Sequence, residues 1–135
     1  MNNPNFLSKI TGHAMRESDD LATSIQAHLT LLLNTRHGMT PNLPAFGLPD
    51  IHYVYYSLPH SLKHLGEEIR QTVLRYEPRL QKVKVNLVSA DAGTFRATYR
   101  ISGEVVEGSH VSRLTFETEV LRDGHANTQL VTQYG

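Results

Sequence analysis

Residues 81–121 read QKVKVNLVSADAGTFRATYRISGEVVEGSHVSRLTFETEVL and contain three runs in which apolar and polar residues alternate. The runs lie at 83–87, 95–101 and 114–120, and short segments that contain glycine separate them. Alternation with a period of two is typical of strands that bury one face, and short connections join antiparallel neighbours. The sequence therefore predicts a small three-stranded antiparallel sheet.

The apolar residues also suggest a register for this sheet. A hairpin at 91–93 sets Val85 opposite Tyr99, and a tight turn at 107–108 sets Tyr99 opposite Phe116. Both pairs place large apolar side chains on one face, as a half-buried sheet requires. We therefore expect one face to be covered by other elements and the opposite face to carry polar side chains.

The polar face of the predicted sheet carries most of the basic residues of its first two strands. In this register Arg96 lies opposite Glu119, so part of the charge is neutralised within the sheet. Lys84 is expected to lie opposite Arg100, and this like-charge pair would favour an acidic group from another protein. Lys84 and Arg100 are thus weaker candidates for partner binding, and a solvated face remains the alternative.

Two helices are expected to cover the apolar face. The first begins near Ser18, carries leucine and isoleucine residues at helical spacing from Leu21 to Leu33, and ends before Gly38. The second is expected over 57–76, because an apolar stripe runs along it and Pro78 disfavours helical backbone at Glu77. The fold class is therefore α+β, with two main helices packed on the sheet.

The chain divides into three parts in this interpretation. Residues 1–17 form an N-terminal arm, 18–122 form one domain, and 123–135 form a C-terminal tail without an assigned element. The proline-containing loop at 39–50 and the residues up to 56 are rich in large apolar side chains. Those side chains either pack on the core or form a docking surface for another protein.

Composition excludes several functional classes. The 135 residues contain no Cys, and 13 basic residues balance 13 acidic ones, so thiol chemistry, zinc fingers and a strongly basic nucleic-acid binder are disfavoured. The charge is unevenly distributed, with a net −2 over 1–69, +5 over 70–100 and −3 over 101–135. No segment predicts a leader or membrane insertion, so we expect a cytoplasmic protein.

No residue set predicts catalysis. Glycoside cleavage needs two carboxyl groups and a raised pKa on one of them, whereas Arg79 beside Glu77 favours a lowered pKa. His60 and His64 have the spacing of metal ligands, but no third ligand is apparent. We therefore expect no catalytic residue, no metal and no cofactor.

Three motifs resemble those of one protein family. They are LLLNTRHG at 31–38, PAFGLPD at 44–50 and YEPRL at 76–80, in which Glu77, Pro78 and Arg79 match the family's Glu-Pro-Arg motif directly before a strand. This pattern, which covers about 18–121, is similar to TssE, the type VI secretion baseplate subunit, and to a baseplate wedge protein of contractile phages. Some family members have been labelled lysozyme-like.

The resemblance implies a structural protein that acts in the cytoplasm, where the baseplate assembles at the inner membrane face. It implies that other wedge subunits and sheath subunits are partners, that the protein starts sheath assembly, and that strand addition joins the chains. Carried over by position, Glu77, Pro78 and Arg79 are the partner-binding motif, and Arg36 is a weaker candidate. The alternatives are a peptidoglycan-cleaving hydrolase and a nucleic-acid module on the basic strands.

Overall fold

A computed structural model describes residues 17–36, 38–39, 47–48, 59–91, 93–94 and 96–134. Two helices come first, α1 (Glu17–Asn34) and α2 (His60–Tyr76). Four strands follow, and they are β1 (Gln81–Asp91), β2 (Arg96–Glu107), β3 (His110–Val120) and β4 (Ala126–Tyr134). The predicted N-terminal arm up to residue 16 and most of the loop at 39–56 lie outside the described residues.

The sheet has four strands, so the prediction of three was wrong. The strands form an antiparallel meander in the order β1-β2-β3-β4, and the additional strand lies within 123–135, where no element was expected. Its core-facing side begins with Ala126 and Thr128, and both are buried. A buried threonine does not contribute to apolar alternation, and for this reason the period-two pattern did not reveal β4. The Thr128 hydroxyl is satisfied at 3.0 Å from that of Thr118.

The predicted register was wrong by two residues over Lys84–Leu87 of the first hairpin and throughout the second hairpin. Val85 lies opposite Ile101 rather than Tyr99, and Ile101 rather than Tyr99 lies opposite Phe116. The second shift arises because Glu107 pairs with His110, so the turn lies one residue later than expected. A two-residue shift keeps every side chain on its face, which is why the core was identified correctly.

The helices cover one face of the sheet side by side. Helix α1 packs mainly on β4, and α2 packs mainly on β1. The buried core joins both helices to the inner face of the sheet and includes Ile25, Leu29, Leu33, Leu65, Ile69, Val73, Tyr99, Ile101, Leu114 and Phe116. Within the described ranges neither helix is long and apolar enough to cross a lipid bilayer.

The observed ends of the two helices can be compared with the predicted ones. Helix α1 already includes Ser18, and it ends at Asn34 rather than close to Gly38, which has a positive φ of 87°. Helix α2 ends at Tyr76 as predicted, whereas its predicted first residues, 57–58, lie outside the described residues. The end of α2 leads through a short turn into β1, and this turn holds the motif with Glu77.

Leu80 fixes the turn against the sheet. It is 2% exposed, and a Cβ added to Gly103 on β2 would lie 2.7 Å from the Leu80 Cγ. Glycine is therefore required at 103 for the close approach of this turn to β2. This packing fixes the position of the turn, and with it the backbone of Glu77 and Arg79, relative to β2.

Candidate functional site

The motif lies where α2 ends. The backbone N–H of Glu77 donates to the Val73 carbonyl at 2.8 Å, which closes the last helical turn. The Leu80 N–H then donates to the Glu77 carbonyl at 3.2 Å, so the chain reverses over Pro78 and enters β1. Pro78 cannot continue the helix and is exposed. The turn thus directs Glu77 inward and leaves Pro78 in solvent.

Glu77 is a buried carboxylate with several donors. Its side chain is 1% exposed. The Arg79 Nε donates to Oε1 and its Nη2 donates to Oε2, both at 2.8 Å, and the Arg79 backbone N–H donates to Oε1 at 3.2 Å. From α1, the His28 Nδ1 lies 2.7 Å from Oε2. The two-pronged arginine contact is the strong form of a charged hydrogen bond.

The electrostatics favour an ionised Glu77. Burial alone raises the pKa of this carboxyl, but the hydrogen bonds from Arg79 and His28 outweigh it and hold the pKa below the ordinary value of 4.5. The same contact raises the pKa of Arg79. At neutral pH the Glu77–Arg79 pair is therefore ionised on both sides, and the His28 Nδ1 donates to the carboxylate.

Arg79 connects this buried carboxylate to the surface. Its side chain is 38% exposed, and its Nη1 donates to the Ser24 hydroxyl of α1 at 2.8 Å. A guanidinium carries five N–H groups, and three of them are used by Glu77 and Ser24. Two N–H groups remain for an acceptor from outside, and their direction is set by residues of the chain itself.

The surroundings of Glu77 do not favour a role for its carboxyl group as a general acid. A general acid needs a carboxyl group that is protonated near neutral pH, and the donors around Glu77 favour the opposite state. Among the described residues, no group of three or more His, Asp or Glu side chains could hold a metal ion.

Arg36 lies at the other end of α1. Its Nη1 donates to the Leu33 carbonyl at 2.7 Å, and its Nη2 donates to the Gly124 carbonyl in the turn between β3 and β4. It is thus held against the helix end and the last hairpin. Ten positions of α1, about 15 Å of helix, separate Ser24 from Asn34, where the helix ends two residues before Arg36. The structure therefore does not bring Arg36 and Arg79 into one site.

Lys84 and Arg100 do not face each other across the strands, as the predicted register implied. Arg100 lies opposite Asn86 and donates to Glu117 at 2.8 Å, while Lys84 lies opposite Ser102. The prediction of facing like charges was wrong because the register differs by two residues. Arg96 still contacts Glu119, at 3.9 Å across a diagonal.

Ser24 and His28 were not predicted from the sequence as site residues. These α1 residues lie one turn apart and contact Arg79 and Glu77, respectively. The sequence shows two polar residues four positions apart, at 24 and 28, beside the apolar stripe of α1. Nothing in the neighbouring sequence indicates that they contact residues about 50 positions away. That pairing depends on how α1 and α2 pack together.

Comparison with known proteins agrees with this architecture. A family model described as Baseplate wedge protein gp25 matches residues 19–110. The chain is 29% identical over 111 residues to the anti-adapter protein IraD of Escherichia coli. The matched residues make up 82% of this chain and 80% of that protein.

A chain of a solved structure, the baseplate complex from the type VI secretion system, matches with a TM-score of 0.61 at 21% identity. The match covers 86% of this chain and 98% of that chain, and it confirms the fold. The family model spans more than half of the chain, including α1 from residue 19, all of α2, β1 and β2, and the Glu77–Arg79 turn. The chain belongs to the baseplate wedge protein gp25 family.

Proposed function

We propose that this chain is a TssE-type structural subunit of a type VI secretion baseplate. In this role it joins neighbouring wedge subunits in the cytoplasm, at the inner membrane face, and starts assembly of the contractile sheath without catalysing a reaction. The observation that carries the proposal is the two-pronged contact between the buried Glu77 and the half-exposed Arg79, in a chain of the baseplate wedge family. The likeness to a chain of a type VI secretion baseplate complex supports it.

Arg79 is the docking group in this proposal, and Glu77 holds it. Because the two-pronged contact fixes the guanidinium plane, a partner's acceptor meets donors that need no further ordering. Pro78 is exposed beside them and keeps the turn in place. Arg36, Lys84 and Arg100 remain weaker candidates, since Arg36 and Arg100 are already used within the chain.

Strand addition is the second contact that we propose. The meander has two edges, and an edge strand offers unpaired backbone groups to a strand of another chain. Sheath subunits that supply such a strand would extend the sheet. Backbone hydrogen bonds would then provide affinity, while the Arg79 contact would fix the position of the neighbouring wedge subunit.

Co-purification tests the proposal. Tagged wild-type chain, isolated from cells that express the secretion genes, should retain other wedge subunits and sheath subunits. Failure to retain any of them, in a preparation that is folded by circular dichroism, would contradict the proposal.

An anti-adapter role is the second candidate, because the similarity to IraD extends over most of both chains. An anti-adapter would bind an adapter protein rather than a baseplate. The same co-purification separates the two functions, since the anti-adapter role predicts an adapter among the retained proteins and no wedge or sheath subunit.

The hydrolase alternative receives no support from the geometry, because the donors around Glu77 keep it ionised. We expect purified protein to leave peptidoglycan uncleaved. Turnover that is lost in Glu77→Gln would revive the enzymatic alternative.

A further inference from the structure

The sheet face that the helices leave uncovered, here called the open face, is apolar at one end. Val106 and Val111 lie opposite each other beside the turn between β2 and β3, and 47% and 50% of their surfaces are exposed. Their neighbours Val105 and Ser112 are buried, so both valines point to the open face. This end of the open face therefore exposes an apolar surface.

A cluster with surplus positive charge adjoins the two valines. The Glu104 Oε2 accepts from the Arg113 Nη2 at 3.2 Å, and its Oε1 lies 3.4 Å from the Lys82 Nζ. One carboxylate thus serves two cations. By contrast, Arg96 and Arg100 on the same face each contact a different glutamate. One positive charge is therefore left over beside the apolar surface.

Tyr134 completes this surface. It lies opposite Arg113 on β4, and 66% of its surface is exposed. Among the described residues the Arg113 guanidinium donates only to Glu104, so it has further N–H groups for an outside acceptor. Tyrosine and arginine are enriched where binding energy concentrates in interfaces. We name this set the hairpin-end patch, and it consists of Lys82, Glu104, Val106, Val111, Arg113 and Tyr134.

The backbone of Lys82 is strained. Its φ of 53° is the only positive φ of a residue other than glycine among the described residues, and the pairing of β1 with β2 is irregular between Gln81 and Lys84. This conformation is costly for a residue with a Cβ atom, and such strain is concentrated at functional positions. Here the strained residue supplies the second cation of the patch.

The hairpin-end patch is close to the turn that carries Arg79. Leu80 packs on Gly103, and Gln81 lies opposite Glu104. Arg79 and the patch therefore lie at the same end of the sheet, and one partner can contact both.

Charge indicates which partner fits. Surplus positive charge beside exposed valines favours a segment that carries a carboxylate next to apolar side chains. A second copy of the patch would bring the same positive charge, and both oxygens of its Glu104 already contact cations. The N-terminal residues 1–16 contain Lys9 and Arg16 and no acidic residue. Neither of them complements the patch, so the occupant is a different chain.

We propose that the hairpin-end patch is a docking surface for a wedge subunit, which places an acidic side chain beside Lys82 and Arg113 and apolar side chains on Val106 and Val111. The proposal rests on the proposed function, because that function supplies the wedge subunit. The contact is made by side chains of the open face and adds to the contact of Arg79.

A matched pair of arginine variants tests the charge. Arg113 and Arg96 both lie on the open face, each contacts one glutamate, and their side chains are 57% and 59% exposed. With purified wedge subunits of the same secretion system as the probe, we expect Arg113→Glu to weaken capture at least about tenfold, because repulsion replaces attraction. Arg96→Glu should bind as the wild type does. Equal capture by the two folded variants would overturn the proposal.

A pair of valine variants tests the apolar part. Val111→Thr and Val88→Thr keep the branched shape that strands favour, and Val88, 45% exposed, lies at the other end of the sheet. Val111→Thr should weaken capture about fivefold, because docking would bury its hydroxyl, while Val88→Thr should not. Wild-type capture by Val111→Thr would overturn the assignment of the valines.

Lys82→Gly separates binding from stability. Glycine relieves the positive φ, so we expect this variant to unfold at an equal or higher urea concentration than the wild type, and yet to capture wedge subunits less well. Capture equal to that of the wild type would overturn the role of Lys82 in docking.

The outcomes distinguish this inference from the function on which it rests. If the wild type captures no wedge subunit, the proposed function fails, and the inference fails with it. If the wild type binds and the patch variants bind equally well, the patch is not a docking surface, while the function stands. A dimer of the isolated chain that dissociates in Val111→Thr would overturn the assignment to a different chain.

Discussion

Two arginine–carboxylate pairs of this protein have the same N–O distance but differ in how far they are exposed to solvent. At the end of α2, Arg79 and Glu77 meet at 2.8 Å with the carboxylate 1% exposed. On the open face of the sheet, Arg100 and Glu117 also meet at 2.8 Å, but their side chains are 49% and 32% exposed. Water competes for the second pair and is excluded from the carboxylate of the first.

The difference shows that burial determines what an ion pair contributes. A buried carboxylate cannot recover its hydration when a donor is removed, so the loss of one partner is costly. An exposed pair exchanges its partner for water at little cost. We therefore assign the Glu77 cluster to holding a fixed local structure, and the open-face pairs to solubility and charge balance.

The largest effect is expected for Glu77→Ala. Removing the carboxylate leaves His28 and the backbone N–H of Arg79 without their acceptor, and the free energy of unfolding should fall by about 2–3 kcal/mol, discounted for the exposure of Arg79. Urea unfolding followed by circular dichroism measures this. Glu117→Ala is the matched control, and an equal loss in both variants would contradict the role of burial.

Acid should destabilise the protein partly through Glu77. Because the folded pKa of Glu77 is lowered, its stabilisation is present above the ordinary pKa of 4.5 and is lost as the pH falls through the folded value. Glu77→Gln should therefore flatten the fall in stability below about pH 4.5. The effect is smaller than that of Glu77→Ala, since glutamine keeps the packing. Unchanged acid dependence in thermal unfolding would argue against a lowered pKa.

His28→Ala should cost about 1 kcal/mol, which is typical of a single hydrogen bond whose donor is partly exposed. The lost free energy of unfolding reports how much the contact between His28 and Glu77 stabilises the packing of α1. His64→Ala provides the control, because His64 contacts Glu68 within α2 and is 62% exposed. If both variants were equally stable, the contact between α1 and Glu77 would not contribute.

The smallest effect is expected on the open face. A double-mutant cycle on Arg100 and Glu117 should give a coupling below about 1 kcal/mol, falling further in high salt. Coupling of several kcal/mol, independent of salt, would remove the distinction between the two regions.

Much of the fold could be predicted because the apolar pattern reports burial directly. The stripes of α1 and α2 and the alternation in β1, β2 and β3 identified both layers, and Pro78 identified the end of α2. Strand β4 could not be found this way, since its buried face contains Thr128. The register was missed because turns one residue apart preserve the same faces.

The site could be predicted only in part. The motif identified Glu77 and Arg79, and their opposite charges two residues apart suggested an ion pair. The sequence did not show that Glu77 faces inward while Arg79 remains half-exposed, because this depends on the packing of Leu80 over Gly103. Contacts with Ser24 and His28 likewise require the tertiary arrangement of α1 and α2.

A comparison of two arginine variants tests the proposal that Glu77 and Ser24 hold Arg79 for docking. Arg79→Lys keeps the positive charge beside Glu77 but loses the planar fork, whereas Arg70→Lys changes an arginine in an exposed pair with Glu67 on α2. We expect Arg79→Lys to remain folded at the assay temperature and to lose at least about tenfold in capture of wedge subunits, while Arg70→Lys binds as the wild type does. Wild-type capture by folded Arg79→Lys would contradict it.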